Sequence, residues 1–141
     1  MSRITLAQAN TIIDAAFAKG AELKLKPLSV VVVDAGGHVQ AFQRQDGASS
    51  MRLGIALGKA AGALALGVSS RKIGEMAAER PAFIAAVSGI AASGIVPAAG
   101  GIIVKGADGF AIGAVGITGD TSDNDEICTL AGIAAAGLTA A

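Results

Sequence analysis

Seven ionisable residues are candidates for chemistry because small or apolar neighbours surround them in the sequence. They are Asp34, His38, Arg44, Asp46, Lys59, Asp125 and Glu126. Burying a charge is costly unless the charge is paired, so each of these residues belongs either to a structural ion pair or to a site. In a site, an Arg or Lys could hold an anion while a carboxylate moves a proton, which needs neither a nicotinamide nor a metal.

Structural roles compete with chemistry at each of these positions. Asp46 directly precedes Gly47 and a predicted helix, where an Asp commonly accepts hydrogen bonds from turn N–H groups. Lys59 has three open roles: reaching solvent, pairing with an acid, or binding an anionic ligand. His38 follows a turn, which is typical of an exposed strand residue, and the alternative is contact with a ligand or a metal. Cys128 lies among apolar residues, as a buried structural thiol does.

The composition argues against several classes of function. Eleven acids balance eleven bases and neither Trp nor Tyr is present, so the charge and stacking rings of a nucleic-acid-binding protein are missing. One Cys and one His cannot build an ordinary zinc site, and a lone Cys fits a reducing compartment. The glycines of "GFAIGAVGITG" miss the G-x-G-x-x-G spacing and lie in a predicted strand, so no phosphate loop is expected. Nothing in the sequence ties a Ser nucleophile to His38.

The elements that must position these residues begin with an amphipathic helix in "ITLAQANTIIDAAFAKGAELKLK". Thr5 and Gln8 form a capping box at its start, and Pro27 prevents it from continuing. The helical spacing predicts a buried face made of Leu6, Ala9, Ile13, Ala16, Phe17 and Gly20.

A hairpin is predicted next. "LSVVVVDA" is a continuous β-branched run, which is typical of a strand covered on both faces. Gly36-Gly37 is expected to supply the positive φ angles of a tight turn into the antiparallel strand "HVQAFQRQ". Alternation along that second strand predicts that His38 and Arg44 share a face.

The following helix, "SSMRLGIALGKAAGALALG", is predicted to start at a Ser49 or Ser50 cap. Gly54, Gly58 and Gly62 form a ridge on it, which predicts close approach of a sheet, a second helix or a ligand. The stretch "SRKIGEMAAERPAFIAAVSGIA" predicts short helical pieces interrupted near Pro81.

"GGIIVK", "GADG" and "FAIGAVGITG" predict a second hairpin. "TSDNDEICTLAGIAAAGL" predicts a last helix, with Thr121 or Ser122 as its cap and acids in the first turn. Strand–turn–strand–helix therefore occurs twice after the first helix. We expect one domain over residues 1–141, an α+β fold with an antiparallel sheet flanked by helices.

Residues 82–104 carry no charge over 23 positions, long enough to span a bilayer. Pro97, Gly100 and Gly101 interrupt that stretch, so a span is disfavoured and no membrane partner is expected. The N-terminus lacks the apolar run of a signal peptide, which predicts a cytoplasmic protein. Extra apolar surface then suits subunit contacts.

Two stretches carry a resemblance to a known family. "VVVVDAGGHVQAFQRQDGA", residues 30–48, precedes a capped helix with Lys59-Ala60, and "GIVPAAGGIIVKGADGFAIGAVGITGDTSDNDEI" follows later. Together they resemble the GlcG/HbpS family of haem-degrading-type domains, also found as the C-terminal domain of PduO-type proteins. The resemblance covers nearly the whole chain. It implies a profilin-like α/β/α sandwich, a homo-oligomer of four to eight subunits and a ligand pocket near the subunit interface.

The resemblance also implies site residues. Arg44, Asp46 and Gly47 match the family's R-x-D-G element, and Lys59 matches its helix lysine. The pair Gly100-Gly101 and the pair Asp125-Glu126 match its glycine pair and its acidic helix start. Gln45 stands where the family usually has Met, and Gly62-Ala63 where a Thr is common, so the ligand could differ. His38 is the one histidine available as an axial ligand of haem.

Three functions follow as hypotheses. The first is a small-molecule binding or sensing protein whose ligand is haem or another tetrapyrrole. The second is a cofactor-independent isomerase, hydratase or lyase acting on a small carbonyl or carboxylate metabolite, in which Arg44 or Lys59 holds an anion and Asp46 or Glu126 moves a proton. The third is an accessory oligomeric subunit whose interface is its function.

Overall fold

The computed structural model describes residues 2–141, which form a five-stranded antiparallel sheet with helices on both faces. In chain order the elements are α1 (Leu6–Glu22), β1 (Ser29–Asp34), β2 (Val39–Arg44), α2 (Arg52–Leu66), α3 (Ser70–Glu79), α4 (Pro81–Ile90), β3 (Gly101–Lys105), β4 (Ala111–Thr118), α5 (Ser122–Ala135) and β5 (Thr139–Ala140). The strand order is β2-β1-β4-β3-β5. The predicted α+β sandwich is confirmed.

Strand β1 carries the two halves of the core on its two faces. Val30 and Val32 belong to the core cluster that includes α1 and α5. Val31 and Val33 pack on the opposite side against Ala56 and Ala60 of α2. The prediction that this strand is covered on both faces is therefore confirmed, and the β-branched run reflects that burial.

Helix α1 starts as predicted. The Thr5 hydroxyl accepts a hydrogen bond from Gln8 N at 3.1 Å, and the Gln8 side chain accepts one from Thr5 N at 2.9 Å. The predicted buried face is wrong at one end, since Leu6 is 57% exposed while Ile12 is fully buried. The buried stripe is thus rotated toward Ile12, against which Gly132 allows α5 to approach closely.

Helix α2 starts without the predicted serine cap. Its N-cap is Met51, in helical backbone geometry, and no side chain caps the first turn. Ser49 is instead part of a preceding turn, in which its carbonyl accepts a hydrogen bond from Arg52 N at 3.2 Å. The Ser49 or Ser50 cap is therefore a wrong prediction, because the chain turns before the helix begins.

The glycine ridge of α2 is covered by an extended segment of the same chain. A Cβ atom on Gly58 would lie 2.6 Å from Val96 Cγ2, and one on Gly62 would lie 3.2 Å from Ile95 Cα. Val96 N also donates a hydrogen bond to Gly58 O at 3.2 Å. Gly54 faces open space. Two of the three glycines are thus explained by close backbone approach, although the covering element is neither a sheet nor a helix.

The second half of the chain follows the prediction closely. The helical pieces α3 and α4 meet at Pro81, β3 and β4 form the second hairpin, and Thr121 caps α5 by accepting from Asn124 N. The short strand β5, which pairs with β3, was not predicted.

The uncharged stretch 82–104 is divided between α4, a loop and β3. Within residues 2–141 no single helix is long and apolar enough to cross a membrane. Helices α2 and α3, which are bent by 77° relative to each other, are together long and apolar enough for a span by length and composition only.

Candidate functional site

Lys59 projects from α2 into the interior, where its side chain is 3% exposed. Its Nζ donates hydrogen bonds to Asp125 Oδ2 at 3.1 Å and to the Ile117 carbonyl at 2.9 Å. Burial lowers the pKa of Lys59, while the Asp125 charge opposes that change. Of the three roles open to this lysine, the structure places it in a buried ion pair.

Asp125 completes the pair from the first turn of α5, with its side chain 1% exposed. Its Oδ1 accepts a hydrogen bond from Asp120 N at 3.0 Å, so both carboxylate oxygens have donors. Burial raises the pKa of Asp125, and the bonds from Asp120 N and Lys59 oppose this. The pair joins α2, β4 and α5, which are far apart in the sequence.

Gly100 and Gly101 lie against the same pair. A Cβ atom on Gly100 would lie 3.0 Å from Lys59 Nζ, and one on Gly101 would overlap the Lys59 carbonyl. Gly100 also has a φ of 130°, which favours glycine. Thr129 Oγ1 lies 2.7 Å from the Gly100 carbonyl, and Ser70 Oγ accepts from Gly101 N at 2.7 Å. Four of the predicted site residues thus meet in one closed cluster.

Arg44 and Asp46 lie elsewhere, in an open cavity of about 640 Å³ between β2, the end of α1 and the segment before β1. Its lining is Phe17, Gly20, Ala21, Leu25, Lys26, Pro27, Gln43, Arg44, Gln45 and Asp46. Both Arg44 and Asp46 are exposed. Gly47 follows with a φ of 86°, which allows the turn out of the cavity wall. Lys59 is not part of this lining, so the structure does not place it beside Arg44.

Gln45, where the family usually has Met, is held by the backbone. Its side-chain Oε1 accepts a hydrogen bond from Leu28 N at 2.7 Å. The cavity wall is therefore fixed to the start of β1 at this position.

His38 lies at the turn between β1 and β2 and is 84% exposed. Its Nδ1 is 3.5 Å from Asp34 Oδ1, and Asp34 also accepts from the N–H groups of His38 and Gly36. The His38 N–H bond, above all, lowers the pKa of Asp34. A second cavity, of about 370 Å³, is lined by Ser2, Arg3, Asp34, Ala35, Gly36, His38 and Ile112.

The prediction that His38 and Arg44 share a face is wrong. The pairing of β1 with β2 shifts between Val32 and Val33, so Val33 faces Val39 while Val32 faces Ala41. This bulge inserts one residue and reverses the alternation. The two side chains stand at opposite ends of β2, roughly 20 Å apart.

Glu126 lies at the surface start of α5, with its side chain 18% exposed. Arg71 Nε donates to both of its oxygens at 3.1 Å, and Arg71 Nη2 reaches Asp123 at 2.5 Å. These carboxylates raise the pKa of Arg71 further above its usual range. The arrangement ties α3 to α5 and engages the carboxylate that was predicted to move a proton.

Several polar residues were not identified from the sequence. Thr118 accepts a hydrogen bond from Arg52 Nη1 at 2.9 Å across the α2-facing side of the sheet. Ser29, beside Thr118 in β1, is fully buried. Their positions depend on pairing between β1 and β4, which a local pattern does not reveal. The one available signal was a polar residue, Ser29, directly before the apolar run Val30–Val33.

Cys128 is buried, and burial raises the pKa of its thiol to about 11. This agrees with the structural role expected for it. Within residues 2–141, no three His, Cys, Asp or Glu side chains are grouped so that they could hold a metal ion.

Solved structures similar to this chain share its fold over nearly their whole length. A PduO C-terminal domain in complex with haem superposes with a TM-score of 0.85 at 22% identity, covering 98% of each chain. Klebsiella pneumoniae protein ORFY gives 0.84 at 26% identity, covering 97% of this chain and 93% of that one. A double mutant of Streptomyces reticuli HbpS gives 0.82 at 26%, covering 95% and 87%.

No curated protein matches the sequence. A family model, described as haem degrading protein HbpS-like, matches residues 4–134. The match spans strands β1 to β4, helices α1 to α4, all but the last residue of α5, and the candidate site residues from Asp34 to Glu126. The chain belongs to the HbpS-like family of haem degrading proteins.

Proposed function

We propose that this chain is a haem- or tetrapyrrole-binding protein that acts in binding or sensing, with His38 as the ligand of the iron. The observation that carries the proposal is the pairing of an exposed imidazole with a carboxylate beside a cavity. Asp34 faces Nδ1, which leaves Nε2 directed away from the pair and open to a metal. Metal-binding histidines commonly have such a carboxylate behind them.

The cavity beside His38 supports the same ligand. Ile112, Ala35 and Gly36 offer apolar or small surface, and Arg3 offers a cation for a carboxylate group. Bound haem would supply a redox-active iron. The residues of this chain would hold it: His38 through Nε2, Asp34 by orienting the ring, and Ile112 by excluding water on one side.

The test is a haem titration followed by absorbance, with native mass spectrometry of the same sample. We expect a Soret band that weakens in His38→Ala, because the iron loses its ligand. The matched control is Glu79→Ala, a surface substitution outside the cavity lining that should keep the band. A Soret titration identical in wild type and His38→Ala would contradict the assignment of the ligand, and no haem uptake by the wild type would contradict the proposed function.

A second candidate function depends on the larger cavity. Arg44 and Lys26 line it together with Asp46, and no carboxylate lies within 4.0 Å of either cation among residues 2–141. Phe17, Leu25 and Pro27 give it an apolar wall. Its volume is in the range of small-molecule sites. An anionic metabolite could be held by Arg44 while Asp46 moves a proton, which is the enzyme hypothesis without Lys59.

That candidate is tested by turnover of small hydroxy and keto acids. We expect activity, if present, to fall in Arg44→Gln through a higher KM and in Asp46→Asn through a lower kcat. Equal activity of both variants and wild type would remove this cavity from consideration. A ligand-free protein with no turnover would favour the accessory-subunit hypothesis.

We also infer that the chain forms a homo-oligomer of four to eight subunits. Support comes from α4, which has no charged residue and buries only Ile84 of its ten residues, while Ile90 is 82% exposed. A second copy of this chain would cover such a surface. Native mass spectrometry of Ile90→Glu should give a smaller assembly than wild type, and an unchanged mass would contradict the use of this helix.

A further inference from the structure

Another cavity, of about 430 Å³, adjoins the cavity beside His38. Ser2, Arg3 and Ile112 line both of them, so the two open onto neighbouring parts of one surface. The remaining walls of the larger one come from the start of α1, the β3–β4 turn and the segment after α5, and Lys105 lies in its lining. We call the two the His38 cavity and the Lys105 cavity.

The charged side chains that line the Lys105 cavity are both cations. They are Arg3 and Lys105, which are exposed, and within residues 2–141 neither has a carboxylate within 4.0 Å. Asp108 belongs to the β3–β4 turn but not to the lining, and its Oδ1 accepts a hydrogen bond from Phe110 N at 3.0 Å. The cavity therefore carries two positive charges that no acid of the described chain neutralises by contact.

The N-terminus of α1 adds to this positive charge. Thr5, the N-cap, and Gln8, the third residue of the helix, both line the Lys105 cavity. The start of a helix has a partial positive charge from its backbone N–H groups, and the first turn of α1 contains no acidic side chain to offset it. The side chains of Thr5 and Gln8 are engaged in the capping box, so Arg3 and Lys105 are the groups available for direct contact.

The strand register places the two cavities at the same end of the sheet. Asp34, the partner of His38, is opposite Gly113 of β4. Gly113 is in turn opposite Val104 of β3, which directly precedes Lys105. Two strand spacings, about 10 Å, therefore separate Asp34 from Val104. One extended ligand can contact the His38 turn and Lys105 at the same time.

Apolar surface connects the two cavities. Ile112 lines both of them and belongs to the core cluster beneath. The pairing of β3 with β4 shifts in register here, and Ile112 is left between the partner of Val104 and the partner of Lys105. It is thus the extra residue of a bulge, a device that redirects a side chain at the end of a sheet. The apolar body of a ligand would contact Ile112 between the imidazole and the two cations.

Both cations extend from backbone that is held in place. Arg3 precedes Ile4, whose side chain is 1% exposed and whose carbonyl accepts a hydrogen bond from Gln40 Nε2 at 2.7 Å. Lys105 is paired with β4 on one side and with Thr139 of β5 on the other. The short strand β5 therefore has a positional role, because it fixes the base of the Lys105 side chain at the cavity.

We propose that the Lys105 cavity is the subsite for the carboxylate groups of the tetrapyrrole, with Arg3 and Lys105 as its binding residues. The inference rests on the proposed tetrapyrrole binding at the His38 cavity and adds a specificity to it. Tetrapyrroles with free carboxylates bind, and those whose carboxylates are blocked as esters bind weakly. Arg3 supplies a planar fork that matches a carboxylate, and Lys105 supplies a point charge.

The test is a fluorescence titration with protoporphyrin IX, which has the carboxylates of haem but no iron for His38 to bind. We expect affinity weaker by about tenfold in Arg3→Gln and in Lys105→Gln, since one charge-assisted hydrogen bond contributes about that much. His38→Ala should bind this porphyrin like wild type. So should the matched control Lys72→Gln, which removes an exposed cation of α3 outside both linings. Affinity unchanged in both cavity variants would overturn the subsite.

The dimethyl ester of protoporphyrin IX supplies a second arm, measured in the same buffer with mild detergent. It has the same ring without free carboxylates, so wild type, Arg3→Gln and Lys105→Gln should all bind it equally weakly. An ester that binds to wild type as tightly as the free acid would overturn the proposed specificity.

Haem titrations of the same variants separate failure of this inference from failure of the proposed function. A Soret band that depends on His38, with haem affinity unaffected by Arg3→Gln and Lys105→Gln, would overturn the subsite alone. Porphyrin affinity that depends on the two cations, without a Soret band that depends on His38, would support the subsite and overturn the assignment of the iron ligand. No uptake of haem or of protoporphyrin IX by wild type would overturn both.

Discussion

Two acid–base pairs of this molecule have similar geometry and opposite surroundings. Lys59 and Asp125 are 3.1 Å apart with side chains 3% and 1% exposed, whereas His38 and Asp34 are 3.5 Å apart with side chains 84% and 52% exposed. The first pair is enclosed by Gly100, Gly101 and the Ile117 carbonyl, and the second stands at a turn. Charged residues in a sequence therefore do not reveal by themselves whether the pair they form supports the fold or is available to a ligand.

The largest effect is expected from breaking the enclosed pair. Lys59→Met leaves Asp125 buried without its counter-charge, and this should lower the free energy of unfolding by about 3–5 kcal/mol. Urea denaturation measures it. The double variant Lys59→Met with Asp125→Asn should recover part of that loss, because no unpaired charge remains. A loss below about 1 kcal/mol in the single variant would place this pair with surface ion pairs instead.

The glycines that enclose the pair should matter nearly as much. A Cβ atom on Gly101 would overlap the Lys59 carbonyl oxygen, which as backbone cannot move aside easily. Gly101→Ala should therefore destabilise the protein by about 1–3 kcal/mol, as overpacking does. Gly54→Ala, in the first turn of α2 with open space around the added Cβ, is the control and should be neutral or stabilising. Equal Tm values for the two variants would show that the cluster is less closely packed than described.

The open pair should give the opposite pattern. His38→Ala should change the free energy of unfolding by less than about 0.5 kcal/mol, as surface substitutions do. Asp34→Ala should cost more, because Asp34 also accepts from the N–H groups of Gly36 and His38. Thermal unfolding of both variants tests this. A large Tm loss in His38→Ala would make the two pairs alike and remove the contrast.

The smallest effect concerns Asp120, which is partly buried and so is intermediate in exposure between the two pairs. Asn124 donates to its carboxylate at 2.8 Å and Lys26 N at 3.1 Å, and these bonds lower the pKa of Asp120 to about 2. Because the folded pKa lies below the unfolded value, the stabilisation is present above roughly pH 4 and is lost as the pH falls toward 2. Asp120→Asn should thus lower Tm slightly at pH 7 and by less at pH 2. A Tm difference that grows on acidification would contradict this sign.

Local features were predictable because they depend on neighbouring residues. The Thr5–Gln8 capping box, the turn at Gly36-Gly37 and the Thr121 cap each need only a few residues, and all three form where predicted. In the turn, however, only Gly37 has the predicted positive φ, of 83°, and Gly36 does not. The Ser49 or Ser50 cap failed because the competing turn at Ser49 is also local and equally compatible with the sequence.

Non-local features were not predictable in the same way. The partner of Lys59 is 66 residues away, and its choice depends on the packing of α2 against β4 and α5. The bulge opposite Val32 and Val33 reverses one strand face, which a two-residue alternation does not anticipate. Ser29 became noticeable only when strand pairing placed it beside Thr118.

The interior position of β1, between β2 and β4, affects how the chain can fold during synthesis. Its second edge is covered by β4, with Ser29 opposite Thr118, so most of the chain must leave the ribosome before that edge is paired. Until then the run Val30–Val33 has one open edge, in a protein dominated by long-range contacts that form slowly. Synthesis proceeds at roughly 5–20 residues per second, so this apolar strand waits for seconds. The strand that carries both halves of the finished core therefore keeps an unpaired apolar edge in the nascent chain until β4 has been made.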